Sequence, residues 1–271
     1  SASMAASFAI DGENNLYAWG ANDYGERDIP LAARSNVKAV DGGGRHVLAL
    51  KTDGTVVAWG RNNFGQSTVP AGLSNVIAIA AGDEFSLALT SAGRVVAWGN
   101  NELKQVAVPK DLRDVIAIAA GTDHALALRF DGTVVGWGNN SQRQLTNINY
   151  ATNVVQIGAG REYSVLLRSD GTIYAYGSNY TNTINFPWNL SNVTWLSASW
   201  VHTVVGFRNG QIHIFGSMTE DEIYTSRTPT VTPLVSETAS RTSTPSLTLT
   251  PSRTLTASPT NLPTRTPTFK R

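Results

Sequence analysis

An aromatic residue followed by glycine returns along this chain at a nearly fixed interval. Trp19-Gly20, Trp59-Gly60, Trp98-Gly99 and Trp137-Gly138 are followed by the weaker Tyr176-Gly177 and Phe215-Gly216. The aromatic spacings are 40, 39, 39, 39 and 39 residues. A period of this size points to a propeller, solenoid or array, whose units bury their apolar faces only against one another. Residues 85–99 show the unit most clearly. Two apolar runs, Ser86–Leu89 and Val95–Trp98, flank a turn at Ser91–Gly93, the pattern of a β-hairpin.

A second strand precedes each hairpin. Asn36, Asn75, Asn153 and Asn192 each stand before a Val that opens an apolar run, as in Val76–Ala81, Val115–Ala120 and Val154–Ala159. Pro30, Pro70 and Pro109 each fall eleven residues after the aromatic, and the one extra residue of the first spacing lies in the loop between Pro30 and Asn36. Each unit therefore predicts at least three strands, with a short fourth around Ser67–Val69. Runs such as Val-Val-Ala-Trp are apolar at consecutive positions, as a strand covered on both faces requires. The Ala- and Gly-rich run Ile-Ala-Ala-Gly suits the crowded inner strand of radially packed sheets.

These residues carry a family resemblance. Trp-Gly-x-Asn-x-x-Gly-Gln, Val-Pro, Asn-Val-x-Ala-Ile-Ala-Ala-Gly, His-x-Leu-Ala-Leu and Asp-Gly together resemble the regulator-of-chromosome-condensation repeat. The short period most resembles the bacterial secreted members, among them the propeller that inhibits β-lactamases. The resemblance covers residues 1–216. It implies an all-β β-propeller, usually of seven four-stranded blades, of which six are recognisable here. The pattern weakens toward the C-terminus: Gly25 and Gly65 are replaced in phase by Lys104, Arg143 and Asn182. The six hairpins are joined by five intervening segments, and nothing after Phe215-Gly216 repeats the Asn-Val strand. The sixth unit therefore reads as lacking its second half. Either the ring closes with a defective last blade, or the tail or a partner chain supplies the missing strands.

Residues 217–271 form a separate segment rich in Thr, Ser and Pro, a composition that builds no core and reads as an extended, O-glycosylated stalk or linker. Arg241, Arg253 and Arg265 repeat at 12 residues, and Thr248, Thr250, Thr254 and Thr256 alternate with apolar neighbours in the β manner. These seven are the candidate tail contacts or glycosylation positions. Asn139, Asn179, Asn189 and Asn192 each open an Asn-x-Ser/Thr triplet. The chain begins at Ser1, and with such a tail a removed secretion signal is expected.

Composition narrows the function. Lys and Arg number 21 against 20 Asp and Glu, so no overall basic field exists to attract nucleic acid or an anionic membrane. No apolar run is long enough for a transmembrane helix. Cysteine is absent, which removes disulfides, thiolate metal sites and a thiol nucleophile. His46, His124 and His202 share one repeat position with Phe85 and Tyr163, so that position reads as packing rather than metal binding. Asp53, Asp131, Asp170 and Asn209 each precede glycine in a hairpin turn and are read as turn formers. Gly42-Gly43-Gly44 is not followed by a helical pattern and is read as a tight loop rather than a phosphate cradle.

The residues just before the His position vary in phase: Gly44-Arg45, Asp83-Glu84, Thr122-Asp123, Arg161-Glu162 and Trp200-Val201. In a propeller such loops form a ring on one face, where a repeated frame with differing loops suits binding. Arg45, Asp83, Glu84, Asp123, Arg161, Glu162 and Trp200 are therefore candidate contacts, with an acidic arc from Asp83, Glu84, Asp123 and Glu162. A second ring follows each Trp-Gly, with Tyr24, Phe64 and Leu103 in phase and Tyr180 nearby. The expectation is a non-catalytic extracellular or cell-surface protein with no cofactor and a protein partner. The leading reading is a self-assembling structural subunit linked to its own copies through the tail. A secreted binding module or inhibitor using the loop face is the second reading. Guanine-nucleotide exchange on a small GTPase is the third.

Overall fold

The structure is a computed structural model, and it describes residues 6–216. The chain divides into a unit spanning Ser1–Thr225 and a second spanning Ser226–Arg271. The candidate tail residues Arg241, Thr248, Thr250, Arg253, Thr254, Thr256 and Arg265 lie outside the described residues. No helix among the described residues is long and apolar enough to cross a membrane.

The described chain forms six antiparallel sheets, or blades. Blade one is the hairpin β1 (Ala6–Ile10) and β2 (Leu16–Gly20). Blade two adds an inner strand: β3 (Val37–Gly42), β4 (His46–Lys51) and β5 (Val56–Gly60). Blade three comprises β6 (Val76–Ala81), β7 (Phe85–Thr90) and β8 (Val95–Gly99). Blade four comprises β9 (Val115–Ala120), β10 (His124–Arg129) and β11 (Val134–Gly138). Blade five comprises β12 (Val154–Ala159), β13 (Tyr163–Arg168) and β14 (Ile173–Gly177). Blade six comprises β15 (Val193–Ala198), β16 (His202–Phe207) and β17 (Ile212–Gly216). The middle strand pairs with both neighbours in every three-stranded blade.

Two expectations need correction. Ser67–Val69 forms no fourth strand: Ser67 closes a turn, and Val69 packs on the core between blades two and three. Among the described residues the two-stranded sheet is also the first, not the sixth. Each Asn-Val strand pairs with the hairpin that follows it, so the sixth sheet has three strands and the first has two. The sequence count was right, but it assigned each inner strand to the wrong neighbour.

Local chemistry explains the repeated letters. The residue before each inner strand has left-handed backbone: Asn36, Asn75, Asp114, Asn153 and Asn192 all have φ between 56° and 61°. Asn and Asp tolerate that conformation best among non-glycine residues. The Asp-Gly turns are three-residue loops with a left-handed glycine. In the first, Gly54 N–H donates to the Lys51 carbonyl and Asp53 accepts from the Thr55 N–H and hydroxyl. The Asn three residues after each Trp accepts an N–H five residues on, as from Ser67 to Asn62 Oδ1 at 2.9 Å.

Five apolar clusters lie between the six blades, each joining consecutive sheets. Between blades three and four, Phe85, Leu87 and Leu89 of one middle strand meet Val115, Ala125, Ala127 and Trp137 of the next blade. Each blade thus has a forward face, toward its successor, and a backward face, toward its predecessor. Among the described residues no such cluster joins blade six to blade one, so the described blades form an open arc.

Candidate functional site

The candidate site begins with a strand register. The first residue of each middle strand opposes the glycine after the aromatic: His46 pairs Gly60, Phe85 pairs Gly99 and His124 pairs Gly138. The loop before the middle strand and the loop after the outer strand therefore leave the sheet at the same edge. The two rings read from the sequence share one face.

A buried frame holds that face. Gln66 and Gln105 are almost wholly buried, and each side chain accepts a hydrogen bond from its own loop, from Phe64 N–H at 2.9 Å and Leu103 N–H at 2.8 Å. Their main-chain carbonyls accept the indole N–H of the next blade, Trp98 to Gln66 and Trp137 to Gln105, both at 2.9 Å. Glu26 takes the Gln position in blade one, and its carbonyl accepts Trp59 Nε1–H at 2.7 Å. The Trp-Gly and Gly-Gln motifs are thus two halves of one inter-blade joint.

The first position of the middle strand forms a second joint. His46 Nε2 lies 2.9 Å from Ser86 Oγ in the next blade, and Ser86 donates its proton to the Gln66 carbonyl. That bond leaves Ser86 as acceptor, so His46 carries its proton on Nε2. His124 Nε2 lies 3.1 Å from Ser164 Oγ, and Tyr163 contacts Thr203 at 3.2 Å. Burial pushes the pKa of His46 and of His124 down to about 4, so both rings are neutral at ordinary pH. The glycine three residues earlier makes room: a Cβ on Gly43 or Gly121 would come within 2.4 Å of the imidazole. These histidines are framework, as their exchange with Phe85 and Tyr163 predicts.

The varied loops ride on this frame, tied blade to blade by their backbones. Gly44 N–H donates to the Gly82 and Asp83 carbonyls, Asp83 N–H to Thr122, and Arg161 N–H to Trp200. They surround a depression of about 710 Å³ at the ends of the inner strands, lined by Gly43, Gly44, Asp83, Gly121, Gly160 and Trp200 among others.

Charge is unevenly distributed on this face. Arg45 stacks over the Tyr24 ring at 4.6 Å, joining the two rings, and Arg161 lies over Trp200 at 5.1 Å. Glu84 pairs with Arg61 at 2.8 Å and accepts from Asn100 at 3.1 Å. Burial and the neighbouring Glu84 raise the Asp83 pKa, against the opposing pull of Arg61, Arg45 and Arg161. Asp123 is raised by burial and then by Asp83, Glu84 and Glu162 together, with no cation acting against them. The acidic arc is therefore one electrostatic group centred on Asp123. Phe64 and Leu103 are 41% and 45% exposed on the outer ring, and Tyr180 is 94% exposed.

Arg61 and Asn100 belong to the site and were missed. They occupy the second position after the aromatic, where Ala21, Asn139 and Ser178 stand in the other units. The same in-phase variation that marked the loops before the middle strand marks this position too.

A uniform buried frame carrying a ring of unlike loops defines a repeat propeller. The regulator of chromosome condensation (RCC1) repeat matches residues 37–66, 76–105, 115–144 and 154–182. These four units are RCC1 repeats, and the propeller is of that family's type. No curated protein matches the chain. Among solved structures, Prp20p from Saccharomyces cerevisiae, described with its binding to Gsp1p and histones, is similar at 23% identity and a TM-score of 0.66, over 78% of this chain and 70% of that one. Yeast RCC1 (Prp20) bound to Kap60 gives 22%, 0.64, 78% and 68%. The ectodomain of the Physcomitrella patens receptor kinase CR4 gives 19%, 0.66, 78% and 60%. At these identities the likeness is one of fold.

Proposed function

We propose that this protein is a non-catalytic interaction propeller that binds a protein partner on its loop face. The carrying observation is the Asp83, Glu84, Asp123 and Glu162 group, in which Asp123 is partly desolvated among acidic neighbours. A lysine or arginine from a partner placed there offsets the burial and the repulsion that raise its pKa. The exposed Phe64 and Leu103 and the stacked Tyr24 supply apolar contact around it. The solved relatives bound to or described with proteins support the general reading. The near-neutral charge and short repeats make guanine-nucleotide exchange the weaker alternative. Action outside the cell, with glycans on the tail, is the compartment that the Thr/Ser/Pro segment suits.

A photo-crosslinking residue at position 123, compared with one at Asp53 on the opposite edge, tests this. Crosslinked partners should appear at 123, vanish when Asp83 and Glu84 are reversed to lysine, and be absent at 53. Identical partner sets at the two positions would contradict it.

The self-assembling subunit is the second reading, and the open arc favours it. A tail-truncated chain ending near Tyr224 separates tail-linked assembly from assembly through the blades.

A further inference from the structure

Four hairpin turns of this chain share one backbone and differ in the side chain before the glycine. In blades two, four, five and six the glycine N–H donates to the carbonyl three residues back: Gly54 to Lys51, Gly132 to Arg129, Gly171 to Arg168 and Gly210 to Phe207. The four glycines hold φ between 77° and 82°. In the first three turns Asp53, Asp131 and Asp170 precede the glycine, and each carboxylate accepts the N–H and the hydroxyl of the threonine two residues on. Those bonds, the hydroxyl bond foremost, hold the three carboxyls below their usual pKa. The position is built for a carboxylate.

Blade six carries an amide there. Asn209 stands at the aspartate position and Gln211 at the threonine position. Asn209 Oδ1 accepts the Gln211 N–H at 3.0 Å, and Asn209 Nδ2 donates to Gln211 Oε1 at 3.0 Å. Asn209-Gly210 is also the one Asn-Gly pair in the sequence. Every other asparagine precedes a residue with a side chain, which hinders approach of the following main-chain nitrogen; glycine has no Cβ and imposes no such barrier. The Gln211 N–H on Asn209 Oδ1 stabilises the negative charge that gathers on that oxygen when Cγ is attacked.

We infer that Asn209 is a modification site, at which the turn converts its own amide to an acid. The Gly210 main-chain nitrogen gives up its proton and bonds to Asn209 Cγ, the Cγ–Nδ2 bond breaks, and Nδ2 leaves as ammonia. Water then opens the five-membered imide. Opening at Cγ leaves aspartate and restores the Asp-Gly of the other three turns. Opening at the main-chain carbonyl leaves isoaspartate, with the chain running through Cγ and lengthened by a carbon. Either product takes the chain from a formal charge of +1 to zero. The Gly210 bond to the Phe207 carbonyl must break first, so the rate follows the opening of this one turn.

Incubation of the full chain in mildly alkaline buffer made with oxygen-18 water, followed by peptide mapping, tests this. Asn209 should gain the mass of an amide-to-acid change with one heavy oxygen before any other asparagine does. The product should appear as two peptides of equal mass, aspartate and isoaspartate, and ion exchange should show a new species one charge more acidic. A synthetic peptide covering residues 204–214 should convert several times faster than the folded chain. Asn209→Gln, whose amide would have to close a larger ring, should keep the parent charge. A full chain that stays amidated at position 209 while the peptide converts, or that converts first at another asparagine, overturns the inference. So does an Asn209→Gln chain that acidifies as fast as the parent. Equal rates in peptide and folded chain would overturn the dependence on turn opening.

Discussion

The middle of the arc and its two ends use the same repeat to different effect. In blades two to five Trp59, Trp98 and Trp137 and each first-position ring are covered by a neighbour. In blade one the same Trp, at position 19, is half exposed. In blade six the Leu of the fifth middle-strand position becomes Gly206, and an inner-strand Ala becomes Trp195, which lies against it. The comparison teaches that the motif does not stabilise a blade; it stabilises a junction. A repeat protein is close to a sum of such nearest-neighbour contacts, and its ends are where the sum is incomplete.

The largest expected effect is acid lability of the inner junctions. His46 and His124 have folded-state pKa values of about 4 against an ordinary 6.5. The unfolded chain therefore takes up protons first as pH falls. Their contribution is intact above about 6.5 and is lost on the way down to about 4, amounting to about 3 kcal/mol per histidine. Asp83 and Asp123, whose pKa values are raised, act in the opposite sense as they protonate. Denaturant titrations at a series of pH values should show the decline, and replacing both histidines by Phe should flatten it.

Comparison of two tryptophans should give the next largest effect. Trp98→Ala removes a buried ring and its bond to Gln66, at a cost of about 3–5 kcal/mol. Trp19→Ala, measured in dilute solution, should cost about 0.5 kcal/mol or less. Equal losses would mean that blade one is covered in the monomer. A smaller effect comes from recoding one junction. His46→Phe leaves Ser86 with one partner fewer and should cost about 1–3 kcal/mol. Adding Ser86→Ala, which copies the Phe85–Ala125 pair, should recover about 1 kcal/mol of it in a double-mutant cycle. The smallest concerns the loop frame. Lys104 and Arg143 hold φ of 65° where Gly25 and Gly65 hold 81°. Lys104→Gly should stabilise by up to about 1 kcal/mol, visible as a raised midpoint in urea.

Most of the frame was legible because every structural requirement is stated several times in phase. The hairpins, the inner strands, the loop ring and the packing role of the histidines all follow from that repetition. Two things were not legible. The inner strand pairs with the hairpin after it, and a periodic pattern has no marker for where one unit ends. Arg61 reads as an ordinary surface residue until the fold sets it 2.8 Å from Glu84, since which varied loops meet depends on the rotation between blades. The serine partners of His46 and His124 lie 40 residues away, one blade on, so their pairing is visible only once blades are stacked.

Exchange of the indole protons, followed by nuclear magnetic resonance on chain labelled with nitrogen-15 in tryptophan and kept dilute, tests the open arc most directly. The protons of Trp59, Trp98 and Trp137 are bound to carbonyls of the preceding blade and should exchange slowly, whereas that of Trp19 should exchange rapidly. Slow exchange at Trp19 in a monomer would mean that the chain closes its own ring, and would contradict the account.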